Sequence, residues 1–370
     1  MVISRRCLLA VPFLAAACGP RPASGYRGYA FVANEEGQAV AAVDLEALAV
    51  ARHIALDASP TQVAAAPNRP SVYALTPLTG SIHEIQSDRL SFKQKLAVAS
   101  TVVSMRLDPS GGAMYVLARD PASLVRVALE SFQVEWRIEL PQAPVDFDIA
   151  SHGRTAAVSF GSNVRLIDLR SRNLSDRLGE GDYSAVRFLS DGASLVAADR
   201  GMRRLSIYSS ASARLITHLP IAVSPDNLCF NRDGGQLFLT GEGLDGVVIV
   251  YPYHTPEVAE TVLAGRAPGA MAASDAFLFV ASPQSGVVSI LRIDTRQVIG
   301  VVSVGSEPAF IAVTRDDQYA LVLNRKSGDV AVLDIGSIAP DNVSVRLKKA
   351  ALLTVIPVGS RPVSADVKGV

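Results

Sequence analysis

Short apolar runs of four to seven residues alternate with compact polar turns along most of the chain. Seven of these turns stand between two apolar runs and recur 39 to 42 residues apart. Their centres are Asn68, Ser110, His152, Asp191, Asp233, Asp275 and Asp316. Asp, Asn, Gly and Ser tolerate the backbone of tight hairpins, so each turn is predicted to join two antiparallel strands. The regular interval indicates a repeated structural unit.

Each unit is predicted to contain four strands. A second strand such as "AMYVL" follows the turn, and a third such as "VRLID" and a fourth such as "RLITHL" come next. Four antiparallel strands in about 41 residues are typical of one blade of a β-propeller. No apolar pattern with a period of 3.6 extends over ten residues beyond the N-terminal segment, so crossover helices are not expected.

The two ends of the repeat array determine the number of blades. Residues 29–56 supply a second, third and fourth strand without a first, whereas residues 362–367 supply a first strand alone. Paired with each other, they complete one blade and close the ring, which removes an open sheet edge. We therefore expect an all-β fold, a single β-propeller of eight four-stranded blades closed by the N- and C-terminal strands. Seven blades are the alternative.

Two stretches carry a family resemblance. "YAFVANEEGQAVAAVDLEALAV" and "YALVLNRKSGDVAVLDIGSI" resemble the bacterial YVTN β-propeller repeat, with Asn34 and Asn324 at the asparagine of that motif. Its aspartate position is matched by Asp44, Asp168, Asp294 and Asp334. The resemblance implies a propeller, often of seven blades, and no single reaction. Because these residues recur from blade to blade, we interpret them as strand-ending and turn-capping residues, not as a site.

The N-terminal segment predicts export. Arg5 and Arg6 precede an apolar stretch over residues 7–17, which is too short to span a bilayer. "LAAAC" resembles a bacterial lipoprotein signal, which implies cleavage before Cys18 and acylation of its thiol. Ala15 stands where such signals usually have leucine, and cleavage near Ala17 without acylation is the alternative. "SRRCLL" also resembles a twin-arginine export signal.

These features predict three segments. Residues 1–17 are expected to be a signal peptide, residues 18–28 a lipidated linker and residues 29–370 the β-propeller. The protein is expected on the periplasmic or cell-surface side of a membrane, which it contacts only through acyl chains on Cys18.

Composition excludes several classes of function. The 370 residues include 35 basic and 35 acidic side chains, so no basic surface favours nucleic acid, and aromatic residues make up only 6%. His53, His83, His152, His218 and His254 are scattered over different units without zinc or haem-attachment spacing. No nucleophile elbow or phosphate loop is present. We therefore predict no catalytic, cofactor-binding or metal-binding residues, and a monomer. Cys229 is interpreted as a small buried apolar residue.

Two irregularities interrupt the repeat. The turn "ADRGMRRLS" places Arg200, Arg203 and Arg204 between a second and a third strand, on the face that usually opens onto a propeller channel. It is either an anion-binding loop or a solvated surface turn. Residues 336–359 lengthen the last complete blade by about a dozen residues, and they form either a docking edge or a tolerated insertion.

Three functions are compatible with these observations. The favoured hypothesis is a binding or scaffold module for a protein or a small ligand, without catalysis of its own. A lactonase-type hydrolase is the first alternative, and it would need carboxylates or histidines that converge on the channel. A redox accessory that binds a modified haem is the second.

Overall fold

The computed structural model describes residues 26–253, 255–338 and 351–369. Within these residues the chain forms eight antiparallel sheets of four strands each. The predicted eight-bladed β-propeller is therefore confirmed, and seven blades are excluded. The predicted signal peptide and Cys18 lie outside the described residues.

The strands are numbered in chain order, and each blade contributes one strand at each of four positions from the ring centre outwards. The inner strands of blades 1 to 8 are β32 (Pro362–Gly369), β4 (Gln62–Ala65), β8 (Thr101–Leu107), β12 (Asp146–Ile149), β16 (Tyr183–Phe188), β20 (Ser224–Phe230), β24 (Met271–Ala273) and β28 (Pro308–Val313). The second strands are β1 (Gly28–Asn34), β5 (Ser71–Thr76), β9 (Ala113–Asp120), β13 (Thr155–Ser159), β17 (Ser194–Asp199), β21 (Leu237–Glu242), β25 (Phe277–Ser282) and β29 (Tyr319–Asn324).

The two remaining positions complete each blade. The third strands are β2 (Ala39–Asp44), β6 (Ser81–Gln86), β10 (Ala122–Ala128), β14 (Val164–Asp168), β18 (Arg204–Ser209), β22 (Gly246–Tyr251), β26 (Val287–Arg292) and β30 (Asp329–Asp334). The outer strands are β3 (Ala49–Ala55), β7 (Ser91–Ala97), β11 (Gln133–Glu139), β15 (Asn173–Leu174), β19 (Leu215–Pro220), β23 (Glu257–Leu263), β27 (Gln297–Ser303) and β31 (Leu352–Pro357). Short 3-10 helices cover Pro77–Thr79 and Ile335–Ser337.

The ring closes by pairing between the two ends of the chain. Strand β32 lies antiparallel to β1, with Gly369 opposite Gly28 and Ser364 opposite Ala33. This is the pairing that the sequence predicts, and it fills the inner edge of blade 1. The closure leaves no sheet edge of β1 open to a second chain.

The apolar core lies between adjacent blades. Strands β5, β25 and β29 are buried along their whole length, because both faces of each sheet pack against a neighbouring blade. The outer strands are largely exposed, and β3 fully buries only Ile54. The Val-, Ala- and Leu-rich runs in the sequence are therefore the second and third strands of the blades.

Each inner strand contacts the inner strands of both neighbouring blades, so the eight strands surround a central channel. The seven turns counted in the sequence join inner to second strands, and all of them lie on one face, here called the lower face. The upper face carries the turns between second and third strands and the connections from one blade to the next. Gly28 and Gly369 both lie at the lower face.

Blade 4 departs from the others at its rim. Its outer strand β15 has two residues, whereas the other outer strands have six or seven. The edge of β14 is completed instead by Ser175 and Leu178, which exchange hydrogen bonds with Leu166 and Val164. The extra length predicted in blade 8 falls largely on residues 339–350, outside the described residues. Among the described residues, no helix has the length and hydropathy to cross a bilayer.

Candidate functional site

Side chains of one inner strand cap the backbone of the next around the channel. The Asp148 Oδ2 atom accepts a hydrogen bond from the Phe188 N–H at 2.8 Å, and Asp146 Oδ2 accepts one from Val186 N–H at 3.0 Å. Asp366 Oδ2 does the same for the Ala65 N–H at 2.8 Å. An inner strand has no fifth strand to pair with, so these carboxylates satisfy amides that would otherwise face the channel unpaired.

Four charged side chains gather on the inner strands of blades 3, 4 and 5. Arg187 Nη1 lies 2.5 Å from Asp146 Oδ2. Arg106 Nε lies 3.4 Å from Asp148 Oδ1, and Arg106 Nη2 lies 3.7 Å from Asp146 Oδ1. Arg106 Nε also donates to the carbonyl oxygen of Phe147 at 2.7 Å. We call these four residues the channel cluster.

The arginines of the channel cluster are more exposed than the aspartates. The side chains of Arg106 and Arg187 are 30% and 29% exposed, whereas Asp146 and Asp148 are each 16% exposed. Both aspartates also accept backbone N–H groups of β16. The carboxylates therefore face the wall, and the guanidinium groups reach the lumen.

Electrostatics distinguish the two arginines. Burial, together with repulsion from Arg187, lowers the pKa of Arg106. Burial also acts to lower the pKa of Arg187, but Asp146 and Asp148 outweigh it and the net shift is upwards. Both groups stay charged at neutral pH because an arginine titrates far above it. Arg106 is thus the cation of the pair whose charge is less well compensated.

The channel cluster can be found in the sequence from the spacing of its residues to the turns. Arg106, Asp148 and Arg187 each stand four residues before the centre of a turn. The same position in the next three blades holds Cys229, Met271 and Ala312, which are all half-buried. Residues at equivalent positions of the inner strands lie at one height in the channel. At this height, the channel wall is charged in blades 3 to 5 and uncharged in blades 6 to 8.

The predicted basic turn lies at the upper face beside the channel. Arg200 Nε is 2.7 Å from Asp226 Oδ1 on β20 of the next blade. Arg204 Nε is 3.0 Å from the fully buried Asp199, which fixes the turn. Arg203 lies against Gly243 and has no ion pair among the described residues. The turn therefore offers one uncompensated guanidinium, and anion binding there stays a prediction.

Asn34 and Asn324 each join an upper-face turn to the connection that enters the same blade, and we call these two residues the asparagine latches. Asn34 Nδ2 donates to the Val358 carbonyl oxygen at 2.7 Å, and Asn324 Nδ2 donates to that of Val304 at 3.3 Å. Both asparagines end their strands, as the sequence predicts, and neither has a left-handed backbone. Asp44 and Asp168 do cap turns, since each Oδ1 accepts the N–H groups two and three residues further on, whereas Asp334 makes no side-chain cap.

Large apolar side chains project from the upper face. Leu78, Leu263 and Met202 are 84%, 70% and 63% exposed, and among the described residues no other large apolar side chain exceeds 50%. Leu78 and Met202 lie in turns between second and third strands, and Leu263 ends β23. Beside Leu263, a cleft of about 530 Å³ between blades 6 and 7 is lined by Glu242 and Asp245, among others.

The histidines and Cys229 are dispersed over the described parts of the propeller. In residues 26–253, 255–338 and 351–369, no three His, Cys, Asp or Glu side chains are placed to hold a metal ion. His53 and His218 lie on outer strands, His152 in a lower-face turn, and His83 on β6 with Asp57; His254 lies outside the described residues. Cys229, interpreted from the sequence as a buried apolar residue, is partly buried, and burial raises the pKa of its thiol to about 12.

The fold is shared with solved structures that differ widely in sequence. A dihydro-heme d1 dehydrogenase, NirN, solved in complex with DHE, has a TM-score of 0.75 at 12% identity, covering 92% of this chain and 75% of that one. A functionally unknown protein from Desulfotomaculum acetoxidans has a TM-score of 0.62 at 10% sequence identity, and the match covers 92% of this chain and 99% of that one. Kuenenia stuttgartiensis hydrazine synthase has a TM-score of 0.60 at 17% sequence identity, and the match covers 74% of this chain and 95% of that one.

At these identities the likeness establishes the β-propeller fold alone. No family model and no curated protein sequence matches the chain. The resemblance to the YVTN repeat therefore remains an interpretation of the sequence motifs.

Proposed function

We propose that this protein is an exported, membrane-anchored β-propeller that binds a partner protein at its upper face and catalyses no reaction itself. The observation that carries the proposal is the position of Leu78, Met202 and Leu263. Exposed large apolar side chains cost solubility, and in soluble domains their concentration on one face is typical of a protein contact. Apart from Leu263 at the end of β23, the exposed apolar side chains on the outer strands, Phe92 and Ile216 among them, are at most 50% exposed.

The position of the chain ends supports the same orientation. The propeller begins at Gly28 on the lower face, ten residues after Cys18. Ten residues extend at most about 35 Å, so an acylated Cys18 would hold the lower face towards the membrane. The upper face, with its apolar side chains, would then point away from the membrane and be open to a partner.

The two alternatives rest on weaker observations. Hydrolysis of lactones would need carboxylates or histidines free to act at the channel, whereas Asp146 and Asp148 are paired with arginines. The likeness to NirN brings a haem-related role into consideration. Of the described histidines none stands on an inner strand, and the raised pKa of Cys229 disfavours the thiolate that binds metals. We derive no step through a haem.

Site-specific photo-crosslinking in cells tests the proposal. A photoreactive amino acid at Met202, or at Leu78, is expected to give a discrete heavier adduct. The same probe at Arg154, an exposed lower-face residue, is the matched control and is expected to give none. The Leu263→Asp substitution should weaken the adduct formed from Met202. Equal adducts from both faces, or none from the upper face, would count against the proposal.

Membrane attachment is tested separately. The Cys18→Ser substitution should move the protein from the membrane fraction to the soluble fraction and abolish incorporation of labelled palmitate. Equal labelling of the two forms would remove the anchor from the proposal and leave the upper-face contact to be judged by crosslinking alone.

A further inference from the structure

We propose that the channel cluster binds a small oxyanion, a carboxylate or a phosphate group, between the guanidinium groups of Arg106 and Arg187. The site is distinct from the upper-face contact, because both arginines belong to inner strands within the ring. Nothing in the preceding proposal depends on it.

Both arginines of the channel cluster have N–H donors that no protein group in the described residues uses. A guanidinium group has five N–H donors. Arg106 donates from Nε to Phe147, and Arg187 donates from Nη1 to Asp146 and to its own neighbour Val186. No hydrogen bond within the described residues uses either terminal nitrogen of Arg106, and none uses Nε or Nη2 of Arg187. Neither arginine contributes to the buried polar atoms that lack a partner, so the unused donors reach the lumen.

The aspartates do not satisfy those donors. Asp146 Oδ2 already accepts Val186 N–H and Arg187 Nη1, and Asp148 Oδ2 accepts Phe188 N–H. Releasing either carboxylate towards the lumen would leave a backbone amide of β16 unpaired, and an unpaired buried amide is destabilising. The Oδ2 atoms are therefore held at the wall, and both Oδ1 atoms lie beside Arg106, so the free N–H donors on this side of the lumen are those of the two arginines.

The rest of the channel wall favours an anion over a cation. At the height of Arg106 and Arg187, blades 6 to 8 contribute Cys229, Met271 and Ala312, which offer no charged competitor. Asp366 of blade 1 turns its carboxylate to the backbone of β4 and β32. Two arginines with in-plane donors match the paired oxygens of a carboxylate or a phosphate. Burial and then repulsion from Arg187 lower the pKa of Arg106, and a bound anion would offset that repulsion.

The full mature protein can be titrated calorimetrically with inorganic phosphate and, in a second arm, with citrate. We expect binding of one anion per chain, at least tenfold weaker in Arg106→Gln and in Arg187→Gln. Arg52→Gln, on the exposed outer strand β3, is the matched control and should leave the dissociation constant unchanged. Binding of phosphate only indicates a phosphoryl ligand, and binding of citrate only indicates a carboxylate. No binding of either anion, or equal weakening in Arg52→Gln, would overturn the proposal.

A second measurement uses the unsubstituted protein, so it does not depend on whether the variants fold. Phenylglyoxal modifies accessible arginines, and mass spectrometry of peptides reports each position. Phosphate or citrate should slow modification of Arg106 and Arg187 at least threefold and leave Arg52 unaffected. Equal rates with and without anion at all three positions would contradict the site.

Discussion

The Asp366 Oδ2 atom in the last strand accepts a hydrogen bond from the backbone N–H of Ala65, 301 positions earlier in the chain. The bond joins the closing strand of blade 1 to the inner strand of blade 2, so it couples ring closure to one titratable group. Burial raises the pKa of Asp366 above its ordinary value, although the N–H groups of Ala65 and Val367 oppose the shift. The native ring therefore holds the proton of Asp366 more tightly than the unfolded chain does.

The sign of the resulting pH dependence follows from this shift. A carboxyl whose folded pKa is raised contributes less stability once it ionises in the native state. The stability of the wild type relative to Asp366→Asn is therefore expected to fall as pH rises from about 4 through the raised pKa. Asparagine keeps an oxygen that can accept the Ala65 N–H. Chemical denaturation of both proteins at several pH values measures the difference. A difference that is constant with pH would contradict the assignment.

Asp57 should show the opposite behaviour. Hydrogen bonds from Lys95 and then from His83 lower the pKa of Asp57 to about 2. Its contribution to stability is present above the ordinary pKa and is lost as pH falls towards about 2. Because its side chain is 58% exposed, the Asp57→Asn substitution should cost no more than about 1 kcal/mol at neutral pH. The gap between wild type and variant should narrow between pH 4 and pH 2. A gap that stays constant over this range would contradict the assignment.

The asparagine latches should matter for stability and not for binding. Asn34→Ala removes the donor to Val358, and Asn324→Ala removes the donor to Val304 and to the carboxylate of Asp329. Each leaves a buried carbonyl oxygen without its partner, so each should lower the free energy of unfolding by about 1–3 kcal/mol. Asn68→Ala, in an exposed lower-face turn, should stay within about 0.5 kcal/mol of the wild type. Equilibrium denaturation compares the three, and equal costs would mean that the latches contribute nothing specific.

Ring closure can be tested by removing β32. Deletion of residues 362–370 exposes the inner edge of β1 and removes the caps that β32 provides to β4. We expect the truncated protein to lose its cooperative melting transition or to melt at least 10 °C lower. A fall of several kcal/mol in the free energy of unfolding lowers the melting temperature of a large domain by about this much. A synthetic peptide covering residues 360–370 should restore part of the loss. A truncated protein that melts like the full-length form would show that the closure is not needed.

The fold could be predicted almost completely because its signal is periodic. Seven turns at a nearly constant interval predict the strand pairs, and the incomplete units at the two ends predict both the closure and the count of eight. The same repetition explains why Asp44 and Asp168 could be interpreted correctly as turn-capping residues. Each of these features depends on residues that are close in sequence or at equivalent places in neighbouring repeats.

The candidate site was harder to predict because it depends on which side chains are free. The sequence places Arg106, Asp148 and Arg187 at the same position of three successive blades. Whether these side chains can bind a ligand depends on which of their polar atoms already have partners in the protein. Only the structure shows that the aspartates are occupied by the amides of β16. The basic turn illustrates the converse, because Arg200 and Arg204 are paired with Asp226 and Asp199 and only Arg203 is left without an ion pair in the described parts of the chain.

The pairing of Gly28 with Gly369 has a consequence for how the chain could be cut and rejoined. These two residues meet at the lower face where every other blade has a covalent turn between its inner and second strands. A short linker between them would make the polypeptide cyclic in connectivity as well as in shape. New termini could then be opened at the exposed turn around Ser110, and the permuted chain should form the same ring. The packing of the blades therefore does not require the chain to start in any particular one of them.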